Sequence, residues 1–276
     1  MSSEKRRRVR VQGGWAASSG PRSDQHKPKP HTEPAWLGKN VDQPTKKKFV
    51  FQKPTELIRE KPEEETIIKP GVYDVSEGPS GLSRLRLFPV FLDPKEADWM
   101  FDELYHELPW RQRNDLKING ESYAQPRLTA WFGDLPYSYS GLTWDPNPNW
   151  SPLLIMLKDR LAEVTGYTFN SMLGNLYRDC HDSVDWHSDD EKSLGHHPTI
   201  ASLSFGDTRN FLLRKKPPPE ENGDYTYMRH IKIPLAHGSL LIMEGATQED
   251  WQHCVPKEYH DRGPRINLTF RTIYPE

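Results

Sequence analysis

From residue 168 onward the chain breaks into short runs, 168–177, 199–205, 208–214, 227–233, 238–243 and 265–274, each bounded by Gly, Pro, Asp or Asn. Runs this short, closed by turn formers, suit strands rather than helices. Many short strands bury their apolar sides by stacking as two sheets or closing on themselves. Two helical segments come earlier. Pro94-Lys95-Glu96 opens one that reaches about Leu108, with Trp99, Leu104 and Leu108 at helical spacing. PLLIMLKDRLAEVT (152–165) is amphipathic and ends at Gly166. RLRLFPVFLD (84–93) and RLTAWFG (127–133) read as further strands. The expected fold is mainly β, a compact sandwich or jelly roll with helices packed outside. No internal repeat is visible.

The upstream chain is different in kind. Residues 1–70 are rich in Lys, Arg, Pro, Ser and Gln without periodicity, and read as a disordered basic leader and linker. Order is expected from Gly71, giving one domain over 71–276. Residues 1–50 carry 12 Lys+Arg against 4 Asp+Glu, whereas the remainder carries 25 against 35. A basic arm beside an acidic domain suits nucleic acid, and equally a solubilising tail. Lys5-Arg6-Arg7-Arg8-Val9-Arg10 is a candidate nuclear localisation signal, although basic runs of this length are common, and the expected location is nucleus and cytoplasm. No apolar run spans a membrane, and the start lacks a secretory signal. Two cysteines, Cys180 and Cys254, fit a reducing compartment.

The chemistry is concentrated in DWHSDDEKSLG (185–195). In an extended strand His187 and Asp189 share a face. A neutral imidazole, a carboxylate and a second histidine make a facial triad, the donor set of non-haem Fe(II) oxygenases. Alone, His-x-Asp is as readily a solvated acidic turn. His196 and His197 lie in a polar loop, so His253, in EDWQHCVPK after the apolar SLLIMEG, is the better third ligand. It also reads as a structural histidine. In PRINLTFRTIYP (264–275), Ile266, Leu268 and Phe270 share one face, and Arg265, Asn267, Thr269 and Arg271 the other. The two arginines are either solvent-exposed or aimed into a barrel mouth. There they would hold a dicarboxylate through paired, charge-assisted bonds, completed by Asn175 and Tyr177 from MLGNLYRD.

Taken in order, NLYRD, DWHSDDE, WQHCVPK and RINLTFR resemble the AlkB family of Fe(II)- and 2-oxoglutarate-dependent dioxygenases. PRLTAWFG, LPYSYSG, ASLSFG, KKPPPEENGDYTY and LLIMEGATQ extend the resemblance over about residues 70–276. It implies a double-stranded β-helix, with His187, Asp189 and His253 as catalytic iron ligands. Arg265, Arg271, Asn175 and Tyr177 would bind 2-oxoglutarate, with Asn267 a weaker candidate. With O2 as co-substrate, the implied reaction oxidises an N-methyl group on 1-methyladenine or 3-methylcytosine in single-stranded DNA and RNA. 2-Oxoglutarate becomes succinate and CO2, and the methyl group leaves as formaldehyde. The resemblance also suggests a monomeric catalytic domain and a helicase complex that supplies single strands.

On the substrate side, a base must leave its stack to reach a buried metal. Tyr137 and Tyr139 share a face, with Tyr139 favoured for stacking and Tyr137 for cofactor or nucleic acid, although both also suit packing on the strand beneath. Trp110, Tyr123, Gln125 and Arg127 fall in the family's nucleotide-recognition segment. Glu191 is the candidate base reader. Asp190 lies beside it in the same acidic stretch, and either touches substrate or points away to a structural arginine. A basic track of Arg111, Arg113, Lys117 and Arg127 is expected to meet phosphates. The same triad and arginines would serve an oxygenase acting on a protein or lipid, or a metal-binding scaffold without activity.

Overall fold

The computed structural model describes residues 59–275, apart from 115, 119–120 and 140–141. The leader up to residue 58, with its basic run, lies outside the described residues. The chain enters through β1 (Glu65–Thr66), β2 (Gly71–Gly78) and β3 (Gly81–Phe88), and then forms helix α1 (Pro94–Glu107). Six strands follow: β4 (Arg111–Gln112), β5 (Leu116–Ile118), β6 (Glu121–Tyr123), β7 (Leu128–Gly133), β8 (Tyr137–Tyr139) and β9 (Leu142–Trp144). After α2 (Pro152–Thr165) come β10 (Ser171–Tyr177), β11 (Val184–His187), β12 (Ile200–Gly206), β13 (Arg209–Lys215), β14 (His230–Leu235) and β15 (Leu240–Gly245). A short α3 (Thr247–Asp250), β16 (Trp251–Val255) and β17 (Arg265–Arg271) complete the chain.

The strands pair as a larger sheet in the order β2-β3-β15-β12-β17-β10-β7-β4 and a smaller one, β1-β14-β13-β16-β11. From β10 to β17 the chain passes repeatedly between them. Strands β10, β12, β15 and β17 lie in the larger sheet, and β11, β13, β14 and β16 in the smaller. This is a double-stranded β-helix, as expected. The hairpins β5–β6 and β8–β9 are separate two-stranded sheets.

Both helices are stopped and started by their sequence. Asp93 caps α1 through the amide of Lys95 at 3.0 Å, with Pro94 in the first turn. Ser151 caps α2 through the amide of Leu154 at 3.3 Å, and Gly166 ends it with a left-handed φ of 78°. Ala97, Met100 and Leu104 of α1, and Leu154, Leu157 and Leu161 of α2, pack on Met172, Leu176, Ile266, Leu268 and Phe270. Trp99 does not join them. The buried stripe runs through 97, 100 and 104, Trp99 lies about 100° or more around the helix from each of them, and it is 52% exposed.

The core therefore has two layers. One lies between the helices and the outer face of the larger sheet. The other fills the space between the sheets with Leu85, Leu87, Phe211, Leu213, Ile231, Ile233, Leu241, Met243 and Val255. Order also starts before Gly71. Glu65–Thr66 pairs in parallel with β14, and Ile67 is buried in the inner layer. Among the described residues no helix is long and apolar enough to cross a membrane.

Candidate active site

Strand β17 sits in the larger sheet between β12 and β10, and its alternation sets up the site. Ile266, Leu268 and Phe270 face the helices. Arg265, Asn267, Thr269 and Arg271 face the smaller sheet and line a cavity between the layers. Register places Tyr177 beside Arg265 and Asn175 beside Asn267 on β10. The arginines are not solvent-exposed: Arg265 is 1% accessible and Arg271 is 5%.

Across the cavity, β11 and β16 pair so that His187 lies opposite His253, with ring centroids 4.2 Å apart. Asp189 follows just beyond the end of β11, where the chain leaves the sheet. Its position is held by its amide, which donates to Gln248 Oε1 at 3.0 Å, and by Ser188 Oγ, which donates to the Trp251 carbonyl at 2.9 Å. Donor atoms of His187, Asp189 and His253 all lie within 4.8 Å of one another. His187 Nδ1 is 2.7 Å from the Asp185 carbonyl, which assigns the proton to Nδ1 and directs Nε2 to within 3.6 Å of Asp189 Oδ1. The ring of His253 stacks on Phe211.

The electrostatics suit a cation. Burial, reinforced by the neighbouring His187, pushes His253 down to about 3, and burial also lowers His187. Both imidazoles are therefore neutral ligands at neutral pH. Burial alone would raise Asp189, but the Arg271 guanidinium beside it holds the carboxyl well below the usual range. Arg271 donates from Nε at 3.1 Å and Nη2 at 2.6 Å, both to Oδ2. The other oxygen, Oδ1, is buried without a hydrogen-bond partner. A fully desolvated carboxylate oxygen with no donor is costly unless something cationic meets it.

Arg265 tells a similar story at the far end. Its Nη2 donates to Ser204 Oγ at 3.0 Å, while Nε and Nη1 are buried without partners, as is Nη1 of Arg271. Among the described residues no carboxylate forms a salt bridge with Arg265, whose neighbours are the Tyr177 ring and Arg209. Burial lowers it to about 10, so it stays charged. These orphaned donors suit an acidic ligand's carboxylates.

Comparison with known proteins agrees with this donor set. The 2OG-Fe(II) oxygenase superfamily model matches residues 84–271. The human alpha-ketoglutarate-dependent dioxygenase alkB homolog 3 is 56% identical over 282 residues, covering 99% of this chain and 97% of the relative. The chain belongs to the AlkB family. The mouse DNA oxidative demethylase ALKBH2 is 40% identical over 192 residues, 68% of this chain and 80% of the relative. This AlkB-family chain is an Fe(II)- and 2-oxoglutarate-dependent dioxygenase. When bound, the iron and 2-oxoglutarate supply oxidising power drawn from O2. The residues fit them: His187 Nε2, Asp189 Oδ1 and the His253 imidazole suit iron, and the unpaired guanidinium donors suit 2-oxoglutarate. Arg271 serves both by orienting Asp189 and keeping one donor in reserve.

The remaining expected residues divide. Asn175 and Tyr177 line the cavity. Asn267 does too, but its amide is committed to Ser202 Oγ and the Leu203 carbonyl, and its oxygen to Thr269 Oγ1. Arg127 is buried in the wall, donating to Asn175 Oδ1 at 2.8 Å, so it cannot join a surface track for phosphates. Tyr123 and Gln125 flank an open groove that shares Arg127, Val184 and His187 with the cavity; Trp186 and Lys257 line it too. Gln125 Oε1 is buried there without a hydrogen-bond partner.

Trp110 is not brought to the site. Its indole packs over Gly174 on the helix side of the sheet and donates to the Leu104 carbonyl at 3.1 Å. The face parity of β10 puts Gly174 opposite Asn175, which explains the separation. Tyr137 is fully buried between Trp131 and Trp144, with centroids 4.7 and 5.8 Å away, so it supports the wall. Its hydroxyl donates to Glu191 Oε2 at 3.4 Å, and its ring lies under Arg271. Tyr139 ends β8, and its side chain lies outside the described part, as does that of Lys117. Arg111 and Arg113 line a separate groove with Trp144 and Asp145. Asp190 points out and pairs at 3.7 Å with Lys216, a lysine rather than the expected arginine, and makes no contact with the cavity. Glu191 is half-buried beside Asp189 and the Tyr137 hydroxyl rather than on the cavity lining, and burial together with the charge of Asp189 raises it to about 7. Gln248 and Phe211, which position Asp189 and His253, carried no signal in their spacing.

Proposed function

We propose that the chain oxidatively demethylates 1-methyladenine and 3-methylcytosine in single-stranded DNA and RNA. The N-methyl C–H is hydroxylated with one oxygen atom of O2, while 2-oxoglutarate takes the other and becomes succinate and CO2. The N–CH2OH product releases formaldehyde and leaves N–H on the base. The observation that carries this reading is the open groove beside Tyr123, Gln125, Trp186 and Lys257, which meets the buried cavity at His187. Aromatic rings, a buried amide oxygen and a cation are what an extruded base and its phosphate require. Glu191, near the metal side, would read the exocyclic amino group. The similarity to mouse ALKBH2, a DNA oxidative demethylase, supports the same chemistry.

The chain's residues divide the work. Arg265, Asn175 and Tyr177 anchor the dicarboxylate, Arg271 sets Asp189, and Phe211 and Val255 keep water from the metal side. Monomeric action in nucleus and cytoplasm, on strands opened by a helicase complex, completes the reading. The test is formaldehyde release from a panel of 3-methylcytosine and 1-methyladenine in single-stranded DNA, the same bases in RNA, a duplex, and an N-methylated peptide. Turnover of the single strands supports the proposal. Turnover of the peptide alone overturns it.

A further inference from the structure

A second group of metal-type donors lies outside the cavity. His196 and His197 follow Gly195, and Glu249 projects from α3; a ligand atom from each lies within 4.8 Å of the others. His196 Nδ1 is 2.9 Å from Glu249 Oε1, and His197 Nε2 is 3.6 Å from the same oxygen. Ligands about 2.1 Å from a tetrahedral Zn²⁺ stand roughly 3.4 Å apart, which the His197–Glu249 distance matches, while the His196–Glu249 distance is that of a direct hydrogen bond an ion would open.

Further details bear on the cluster. His197 Nε2 is buried without a hydrogen-bond partner, although it is aimed at the carboxylate. His197 has a φ of 52°, a left-handed backbone that a non-glycine residue adopts at a cost. Its ring is seated against Gly81, where a Cβ would approach Cε1 to 3.3 Å and the φ of 115° already demands glycine. The two imidazoles stack with centroids 3.7 Å apart, and binding one ion through both requires the exposed His196 ring to turn out of that stack. His196 is largely exposed, so water has access to complete the coordination.

We propose that His196, His197 and Glu249 form a second divalent metal site, suited to Zn²⁺, distinct from the His187–Asp189–His253 triad. Two imidazoles and a carboxylate are a nitrogen and oxygen set that Zn²⁺ accepts. The site ties the loop after Asp189 to α3. Glu249 adjoins Gln248, which holds the Asp189 amide, and stands four residues before His253. An ion there cross-links the two segments that carry the triad, and stabilises the fold without entering the cavity.

The experiment uses the full chain, freed of iron, titrated with ZnCl2 against a chromophoric chelator. The wild type takes up two equivalents, one at each site. His196→Ala/His197→Ala takes up one, and adding His187→Ala to it removes that one. Glu249→Gln, which keeps shape and loses only charge, weakens the second equivalent at least tenfold. Zn²⁺ at a hundredfold excess over its Kd raises the wild-type melting midpoint about 5–10 °C more than that of the double variant. A single equivalent in the wild type, or two in the double variant, overturns the proposal. So does a Glu249→Gln chain that binds as the wild type does.

Discussion

Arg265 offers the sharpest separation of binding from stability. Its guanidinium is 1% accessible, with one donor on Ser204 and two without partners. Replacing it with methionine keeps much of the volume and removes a buried charge. In the protein without ligand, exchanging a poorly compensated buried cation for an apolar side chain is neutral or stabilising, by up to about 4 kcal/mol. With 2-oxoglutarate bound the sign reverses. Truncating one partner of a buried, hydrogen-bonded charge pair costs about 2–5 kcal/mol, which weakens binding roughly 30-fold to a few thousandfold. Arg265→Met should therefore melt no lower than the wild type in the absence of ligand, and lose most of the stabilisation that 2-oxoglutarate and iron confer. The assay is anaerobic titration calorimetry of 2-oxoglutarate alongside urea unfolding of the ligand-free chain. Binding weakened less than about fivefold would refute the role of Arg265, and a large loss of ligand-free stability would refute the claim that its charge is uncompensated.

Arg271→Met leaves Asp189 buried and unpaired, at a cost of about 3–5 kcal/mol, read as a lower urea midpoint. Glu191→Ala should keep 2-oxoglutarate affinity within about threefold while changing the ratio of kcat/KM for 3-methylcytosine and 1-methyladenine by about tenfold, on the order of one hydrogen bond to a charged group. Asp182 is buried and paired to Arg178 at 2.7 Å; burial raises its carboxyl, but the arginine's bonds outweigh this and lower it. Its stabilisation is therefore present above the unfolded value of about 3.9 and is lost as pH falls through the lower folded value, so Asp182→Asn should flatten the acid end of a stability–pH curve. Leu104→Ala opens a hole between α1 and the sheet and should cost about 2–5 kcal/mol.

Much of this was legible because alternation on one strand carries information about both faces. In RINLTFR the apolar residues predict a face on the core and the polar ones either solvent or a barrel mouth, and β17 puts the first against the helices and the second in the cavity. The start at Pro94 and the stop at Gly166 were local signals and needed no tertiary context. The triad was a candidate from its donor types and became specific only with the resemblance, because nothing in the spacing of His187 and His253 reveals that β11 and β16 pair across 66 residues of chain. Trp110, Tyr137 and Arg127 show the limit. Each is aromatic or cationic in a segment near the site, but strand parity and neighbours decide which face it meets. Trp110 went to the helices, Tyr137 between two tryptophans, and Arg127 onto Asn175. Trp99 was misplaced for a simpler reason: α1 has apolar residues at two phases, and only the sheet beneath selects between them.

The central claim is that His187, Asp189 and His253 together hold the iron to which 2-oxoglutarate binds. Iron-dependent 2-oxoglutarate binding, measured without oxygen, tests it most directly in His253→Ala, whose fold is checked by circular dichroism. The account predicts tight binding in the wild type that requires Fe(II), and loss of the iron-dependent gain in the variant. A folded His253→Ala chain that binds 2-oxoglutarate with undiminished dependence on Fe(II) would contradict it.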